Sequence, residues 1–127
     1  MEQAVQLYAA ISFLVIGLSH LIQPNAWVAF YQALGARGVP GVFLEGFLSL
    51  SFGGLIVGFH NVWRGPAVVL TLIGWGQVLK GAGRFVAPQV GLRMMQRMAP
   101  ERAWYFRAGG ALALVLSAFL WWLRLRT

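Results

Sequence analysis

The residues of this chain that could do chemistry are few, and they lie inside or at the ends of long apolar runs. Four apolar windows, if they cross a membrane in turn, bring six of these residues to a similar depth toward one membrane face. They are His20, Glu45, Gln77, Lys80, Arg84 and Arg107. Charges are costly in hydrocarbon, so an ionisable residue inside such a window is a candidate functional residue. We therefore treat this set as the candidate site.

The simplest chemistry for the set is an ion-pair and hydrogen-bond cluster around Glu45, its only acidic member. Ser49 lies four residues after Glu45, on the same face of the predicted helix, and can join that cluster. Two alternatives stay open. The surplus of cations could bind an anionic lipid or a small anionic ligand, or the titratable groups could carry protons or ions, although the opposite halves of the windows are almost wholly apolar.

Templates for enzyme active sites do not fit these residues. The chain has no Asp and no Cys, which excludes a Ser-His-Asp triad, a Cys nucleophile and a thiolate metal site. The two histidines, His20 and His60, are predicted at opposite faces of the membrane, so they cannot share a metal ion. We expect no enzyme activity, no catalytic residue, no bound metal and no cofactor.

The composition of the chain places these residues in a membrane. Of 127 residues, 59% are hydrophobic and only 10% are Asp, Glu, Lys or Arg, whereas about a quarter of a soluble domain is charged. A soluble domain of this size needs more polar residues to cover its surface. The excess apolar residues are therefore expected to face lipid.

Four windows are long enough to cross a bilayer, since a span needs about 20 mostly apolar residues. They cover approximately Ala4–Ile22, Val42–His60, Ala67–Val86 and Ala103–Leu123 within a single membrane domain, residues 1–127. All five prolines fall between the windows or at their edges, and every tryptophan except Trp75 lies near a window end. The first window lacks the positive start of a removable signal peptide, so we interpret it as a span.

Two connections predict short helices in the membrane interface. Between the first two windows, apolar residues recur at helical spacing from Trp27 to Leu34, and Asn25 and Gly35 can begin and end a helix. Before the fourth window, residues 92–99 place apolar positions opposite arginines, which predicts a second, basic helix. Each of these helices could anchor to lipid, and the basic one could instead dock to a partner protein.

The arginines predict an orientation. Ten Lys and Arg residues stand against three Asp and Glu residues. Four spans would place most of the arginines on one side: Arg37, Arg84, Arg93, Arg97, Arg102 and Arg107. The opposite side would hold Arg64, Arg124, Arg126 and both termini. The positive-inside rule makes the first side cytoplasmic and the termini periplasmic in a bacterial inner membrane.

Basic residues at window ends suit anionic lipid headgroups, and we exclude nucleic acid as a partner.

Glycine is abundant, with sixteen residues, and small residues let membrane helices approach closely. The predicted helix-packing positions are Ser49, Gly53, Gly54, Gly58, Gly74 and Gly81, and they include a GxxxG pair at Gly54 and Gly58. Such a stripe either packs inside one bundle or faces a different subunit. Both interpretations stay open.

The middle of the chain resembles a known group of proteins. The stretch Phe59–Trp63 (FHNVW) is followed by Leu70–Trp75 (LTLIGW), Leu79–Gly81 (LKG) and Pro88. This resembles small bacterial four-helix inner-membrane proteins with an HNVW…TLIGW…LKG signature. The stretch Gly17–Leu21 (GLSHL) is more loosely similar to DoxX-like proteins. Both resemblances imply a four-helix membrane fold, and neither implies an activity.

The sequence thus predicts an all-α integral membrane protein, a four-transmembrane-helix bundle with two short interfacial helices. The expected function is that of a non-catalytic accessory or structural subunit of a larger bacterial membrane complex, of respiratory or photosynthetic kind. The expected partners are the lipid bilayer and other membrane protein subunits, with a homo-oligomer as the alternative. The alternative function is a small transporter, or an anionic-lipid-binding or ligand-binding protein, that uses the Glu45–Lys80 level.

Overall fold

The computed structural model describes residues 1–126, and this part of the chain is helical without any strand. Six α-helices follow one another: α1 Glu2–Ile22, α2 Pro24–Ala36, α3 Val39–Phe59, α4 Val68–Val86, α5 Pro88–Gln96 and α6 Trp104–Arg126. A short 3-10 turn, Pro100–Arg102, precedes α6. The all-α prediction is therefore confirmed.

Three helical segments are long and apolar enough to cross a membrane: Glu2–Ile22, Val39–Phe59 and Pro100–Arg126. They contain most of the first, second and fourth predicted windows. The third window forms α4 but is not among the three segments, because glycines and the polar side chains of Gln77, Lys80 and Arg84 lower its mean hydropathy. Length and composition therefore support three of the four predicted spans.

The chain forms two compact units, which are separated in the sequence inside α2, after Val28, and again after Met98. The described part of the first unit contains residues 1–28 and 99–126. In this unit α1 and α6 pack antiparallel. A Cβ added at Gly17 would lie 3.0 Å from the carbonyl oxygen of Gly110, and the Ser117 hydroxyl donates to the carbonyl oxygen of Ala10 at 2.7 Å. The two backbones therefore touch where glycines face each other.

The second unit, Ala29–Met98, is built on an antiparallel hairpin of α3 and α4. Contacts follow the two helices along most of their length, from Gly46 opposite Gly81 to Gly53 opposite Gly74. A Cβ added at Gly53 would lie only 2.6 Å from both the Gly74 carbonyl oxygen and the Val78 amide nitrogen. Glycine is therefore required at Gly53 for the two backbones to approach this closely.

The structure divides the predicted helix-packing residues into two sets. Gly53, Gly74 and Gly81 lie at the α3–α4 contact, and Ser49 is buried beside Glu45. Gly54 and Gly58 are exposed, and a Cβ added at either would meet no atom within 4 Å. The GxxxG pair therefore takes no part in packing α3 against α4.

A short helix forms in each of the two predicted connections, with shifted bounds. Helix α2 begins at Pro24 and ends at Ala36, one residue beyond the predicted range at each end. Helix α5 begins at Pro88, where proline suits the first turn of a helix, and ends at Gln96. Leu34, Val42 and Met95 bring α2, α3 and α5 together in a buried apolar cluster. The basic helix α5 is thus packed on the hairpin of its own unit.

Candidate functional site

The carboxylate of Glu45 is the centre of a buried polar cluster in the second unit. Its side chain is 5% exposed, and both of its oxygens accept from neighbours. The Lys80 ammonium lies 2.8 Å from Oε1, the Arg84 Nε donates to Oε2 at 2.7 Å, and the Ser49 hydroxyl donates to Oε1 at 3.2 Å. Helix α3 supplies the acid and the hydroxyl, and α4 supplies two cations one helical turn apart.

Two glycines clear the path of the Arg84 side chain to Glu45. A Cβ added at Gly46 in α3 would lie 2.6 Å from Arg84 Cβ, and one at Gly91 in α5 would lie 2.7 Å from Arg84 Cδ. The aliphatic stem of Arg84 therefore passes directly over both glycines. A larger residue at Gly46 or Gly91 would displace the guanidinium from the carboxylate.

Tyr31 of α2 adds a neutral hydroxyl to this cluster. It is a hydrogen-bond partner of the Lys80 ammonium. Burial raises the pKa of Tyr31 above its ordinary value of 10.0, and the positive charge of Lys80 opposes this shift only in part. The phenol therefore stays neutral at physiological pH and offers Lys80 an uncharged acceptor. In the sequence, Tyr31 is only one residue of the stretch Trp27–Leu34, whose spacing predicts a short helix.

The six residues of the predicted polar level are distributed over both units. Glu45, Lys80 and Arg84 meet in the second unit. Gln77, on the same helix as the two cations, packs its Cβ beside Gly53 in the α3–α4 contact. His20 and Arg107 belong to the first unit. Across residues 1–126 there is no group of three or more His, Cys, Asp or Glu side chains that could hold a metal ion.

His20 lies in an aromatic cluster of the first unit. Its Nδ1 lies 2.8 Å from the carbonyl oxygen of Ile16, and since a carbonyl oxygen only accepts, this nitrogen carries the proton. The imidazole stacks on Trp27 with ring centroids 4.1 Å apart and lies 5.5 Å from the ring of Phe106. The Trp27 indole in turn donates to the Ser19 hydroxyl at 2.9 Å. These contacts hold the histidine as a packing residue.

A second buried polar cluster closes the turn between α3 and α4. The Thr71 hydroxyl accepts from the Val62 amide at 3.0 Å and donates to the His60 carbonyl oxygen at 3.0 Å. The Nδ1 atom of His60 lies 3.2 Å from the same hydroxyl oxygen. Because the single hydroxyl proton goes to the carbonyl, Nδ1 donates in that contact. His60, the last residue of the second predicted window, is completely buried.

The other side of the same turn is held by Asn61. Its Oδ1 accepts from the Trp63 indole at 2.9 Å and from the Trp75 indole at 3.3 Å. Gly65 has a φ of 68°, a left-handed conformation that favours glycine. The HNVW, Thr71 and Trp75 positions that carry the resemblance are therefore the residues that close this hairpin.

No protein family, curated protein or solved structure matches this chain. The resemblance carried by Phe59–Trp63 and the stretches after it therefore stays a prediction. The contacts of the two polar clusters and of the glycines are the basis from which a function can be proposed.

We predict that removing the two cations destabilises the fold more than removing the acid. Glu45→Gln leaves Lys80 and Arg84, whose side chains are 36% and 13% exposed and can turn toward headgroups. The double variant Lys80→Met with Arg84→Met has no donor at either position and leaves a buried carboxylate bonded only to Ser49. The free energy of unfolding should fall by about 3 kcal/mol in the double variant and by about 1 kcal/mol in Glu45→Gln.

Thermal unfolding of both proteins in the same mild detergent measures this difference. An equal or greater loss in Glu45→Gln would show that the carboxylate is not the costly partner. No loss in either variant would show that the ion pairs do not stabilise the fold.

We also predict that the Thr71 hydroxyl stabilises the hairpin turn. Thr71→Val keeps the side-chain shape but leaves the Val62 amide and the His60 carbonyl without this partner, which should cost about 1–3 kcal/mol. Thr71→Ser keeps the hydroxyl and serves as the matched control. Chemical unfolding followed by tryptophan fluorescence gives both values, and equal stabilities of the two variants would refute the role of the hydroxyl.

Proposed function

We propose that this protein is a non-catalytic, four-span accessory subunit of a larger bacterial membrane complex. The observation that carries the proposal is the exposed pair Gly54 and Gly58 on α3, where an added Cβ would meet no atom of the described chain within 4 Å. A glycine inside a helix costs about 1 kcal/mol relative to alanine. At Gly53, one residue away, close packing against α4 offsets this cost. Gly54 and Gly58 make no such close contact within the chain.

The exposed surface around this pair suits a second membrane helix. Phe47, Ser51, Gly54 and Gly58 follow one another at helical spacing and are all exposed, and we call them the outer glycine face. Small residues at four-residue spacing let a neighbouring helix come close and gain van der Waals contact, which lipid chains provide less well. A transmembrane helix of another subunit is therefore the proposed occupant.

The proposed fourth span is α4, and its pairing with α3 supports this. Helix α3 is apolar and long enough to cross a membrane, and α4 lies antiparallel beside it from Gly46–Gly81 to Gly53–Gly74. Because α4 is in backbone contact with α3, a crossing of the membrane by α3 would bring α4 to the same depth in the bilayer. The polar residues that lower the hydropathy of α4 include Lys80 and Arg84, which Glu45 of α3 partly neutralises.

The proposed location is the bacterial inner membrane, with both termini periplasmic. With four spans, the two connections that contain α2 and α5 lie on the side that holds most of the arginines. The positive-inside rule makes this side cytoplasmic. The turn from His60 to Pro66, which carries only Arg64, then lies on the periplasmic side with the termini.

The polar groups of the second unit support a structural role. The Glu45 carboxylate is held by three side chains, and the Thr71 hydroxyl makes contacts with the backbone and side chain around the turn. Both clusters fasten α3 to α4, one near each end of the hairpin. Groups committed to such contacts stabilise the fold, which is the task of a scaffold subunit.

We predict that the outer glycine face is needed for association and not for folding. Gly54→Leu with Gly58→Leu fills open space, so the thermal stability of the isolated protein should stay unchanged or rise. Large subunits that co-purify with the wild-type chain in mild detergent should be lost from the variant. Gly109→Leu on α6, also in open space, is the matched control and should retain them.

Mass spectrometry of the purified material from all three proteins reads out the result. A wild-type chain that purifies alone, or as a homo-oligomer, would overturn the proposal of an accessory subunit. Retention of the same subunits by the Gly54 and Gly58 variant would leave association intact but refute the assigned surface.

A further inference from the structure

The cluster around Glu45 carries one positive charge too many. Two cations, Lys80 and Arg84, share a single carboxylate, and the other polar neighbours, Ser49 and Tyr31, are neutral. The same unit also holds Arg93 in α5 and Arg97 directly after it. An uncompensated charge at the edge of a low-dielectric region attracts a counter-charge strongly.

The hydrogen-bond donors of Arg84 are also only partly used. A guanidinium has five N–H donors. The Nε donor of Arg84 binds Glu45, and Nη2 faces the Met94 sulfur at 3.9 Å, which is a weak acceptor. No buried side-chain nitrogen or oxygen within residues 1–126 lacks a hydrogen-bond partner, so Nη1, which neither contact uses, reaches the surface of a side chain that is 13% exposed. Lys80 likewise keeps 36% of its side chain exposed after binding Glu45.

In the proposed four-span arrangement these donors lie close to the level of the lipid phosphates. Helix α4 ends at Val86, so at 1.5 Å of rise per residue Arg84 lies about 3 Å and Lys80 about 9 Å from its end. Both side chains are long enough to reach the headgroup region from these positions. Met94 beside the guanidinium is 42% exposed and offers an apolar contact next to the charge.

We propose that the Nη edge of Arg84, assisted by the Lys80 ammonium, binds the phosphate of an anionic phospholipid. The planar guanidinium fork fits two phosphate oxygens at once, and Lys80 adds a point charge. Glu45 holds Arg84 by Nε, so the carboxylate orients the fork with its other edge directed outward. The net positive charge favours a lipid of net negative charge over a zwitterionic one. This proposal rests on α4 reaching the membrane interface and is independent of any partner subunit.

The test uses the purified full chain in nanodiscs of phosphatidylcholine mixed with equal parts of phosphatidylglycerol. Native mass spectrometry after release of the protein counts the phosphatidylglycerol molecules that it retains. Arg84→Lys keeps a cation beside Glu45 but removes the fork, and retention should fall about tenfold, which corresponds to the loss of one charge-assisted hydrogen bond. Arg102→Lys, an exposed arginine of the first unit, should retain lipid like the wild type.

A second variant keeps the test decisive if Arg84→Lys fails to fold. Lys80→Gln can still donate to Glu45 but removes the surplus charge, and it should also lower retention of phosphatidylglycerol. Equal retention by wild type, Arg84→Lys and Lys80→Gln would overturn the proposal.

A third measurement separates the source of the phosphate. Inorganic phosphate, added to the wild type in pure phosphatidylcholine nanodiscs, should leave the melting temperature unchanged, whereas phosphatidylglycerol should raise it. Stabilisation by inorganic phosphate without any effect of phosphatidylglycerol would mean that the site takes a soluble anion, and the assignment to lipid would be wrong.

Discussion

The second unit depends on how a single carboxylate offsets the charges of its neighbouring helix. Helix α4 carries Lys80 and Arg84 inside a largely apolar segment, and in the proposed span isolated charges of this kind are expensive in hydrocarbon. Glu45 binds both cations from α3 at 2.8 and 2.7 Å. The pairing can form only because Gly46 and Gly91 leave room for the arginine stem. Charge compensation and close backbone packing are therefore one constraint in this hairpin.

Neighbouring glycines of α3 have different surroundings. Gly53 faces α4, where any side chain would collide with backbone atoms, while Gly54 faces open space. Successive residues of a helix differ by about 100° in direction, so adjacent glycines cannot serve the same contact. This difference makes one set a requirement for folding within the chain and leaves the other available for a second helix.

Much of the helical layout could be predicted from hydropathy and proline positions, because both reflect local rules. The partnership of Glu45 with Lys80 and Arg84 could also be predicted, since one acid was available for several cations at one level. Depth alone does not determine which helix face a residue occupies. The described ion pairs of Glu45 come from Lys80 and Arg84 of its own unit, whereas His20 and Arg107 belong to the other unit.

Other features could not be read from spacing, because they depend on the path of the chain in three dimensions. The pattern Gly54–Gly58 predicts a packing surface but does not say which helix covers it. Gly91 gains its role only when α5 folds onto Arg84. The hydrogen bonds of the Thr71 hydroxyl with the backbone of His60 and Val62 form only when the turn is closed. The sequence around the turn therefore does not predict them.

The central claim is that α4 crosses the membrane beside α3, and the sides on which the two termini lie test it most directly. The chain has no cysteine, so a single cysteine at Gln3 or at Leu125 reports one terminus to a membrane-impermeant maleimide in intact cells. Four crossings place both termini on the same, periplasmic side, and we predict that both cysteines are labelled. Labelling of only one would place the termini on opposite sides and contradict a fourth crossing by α4.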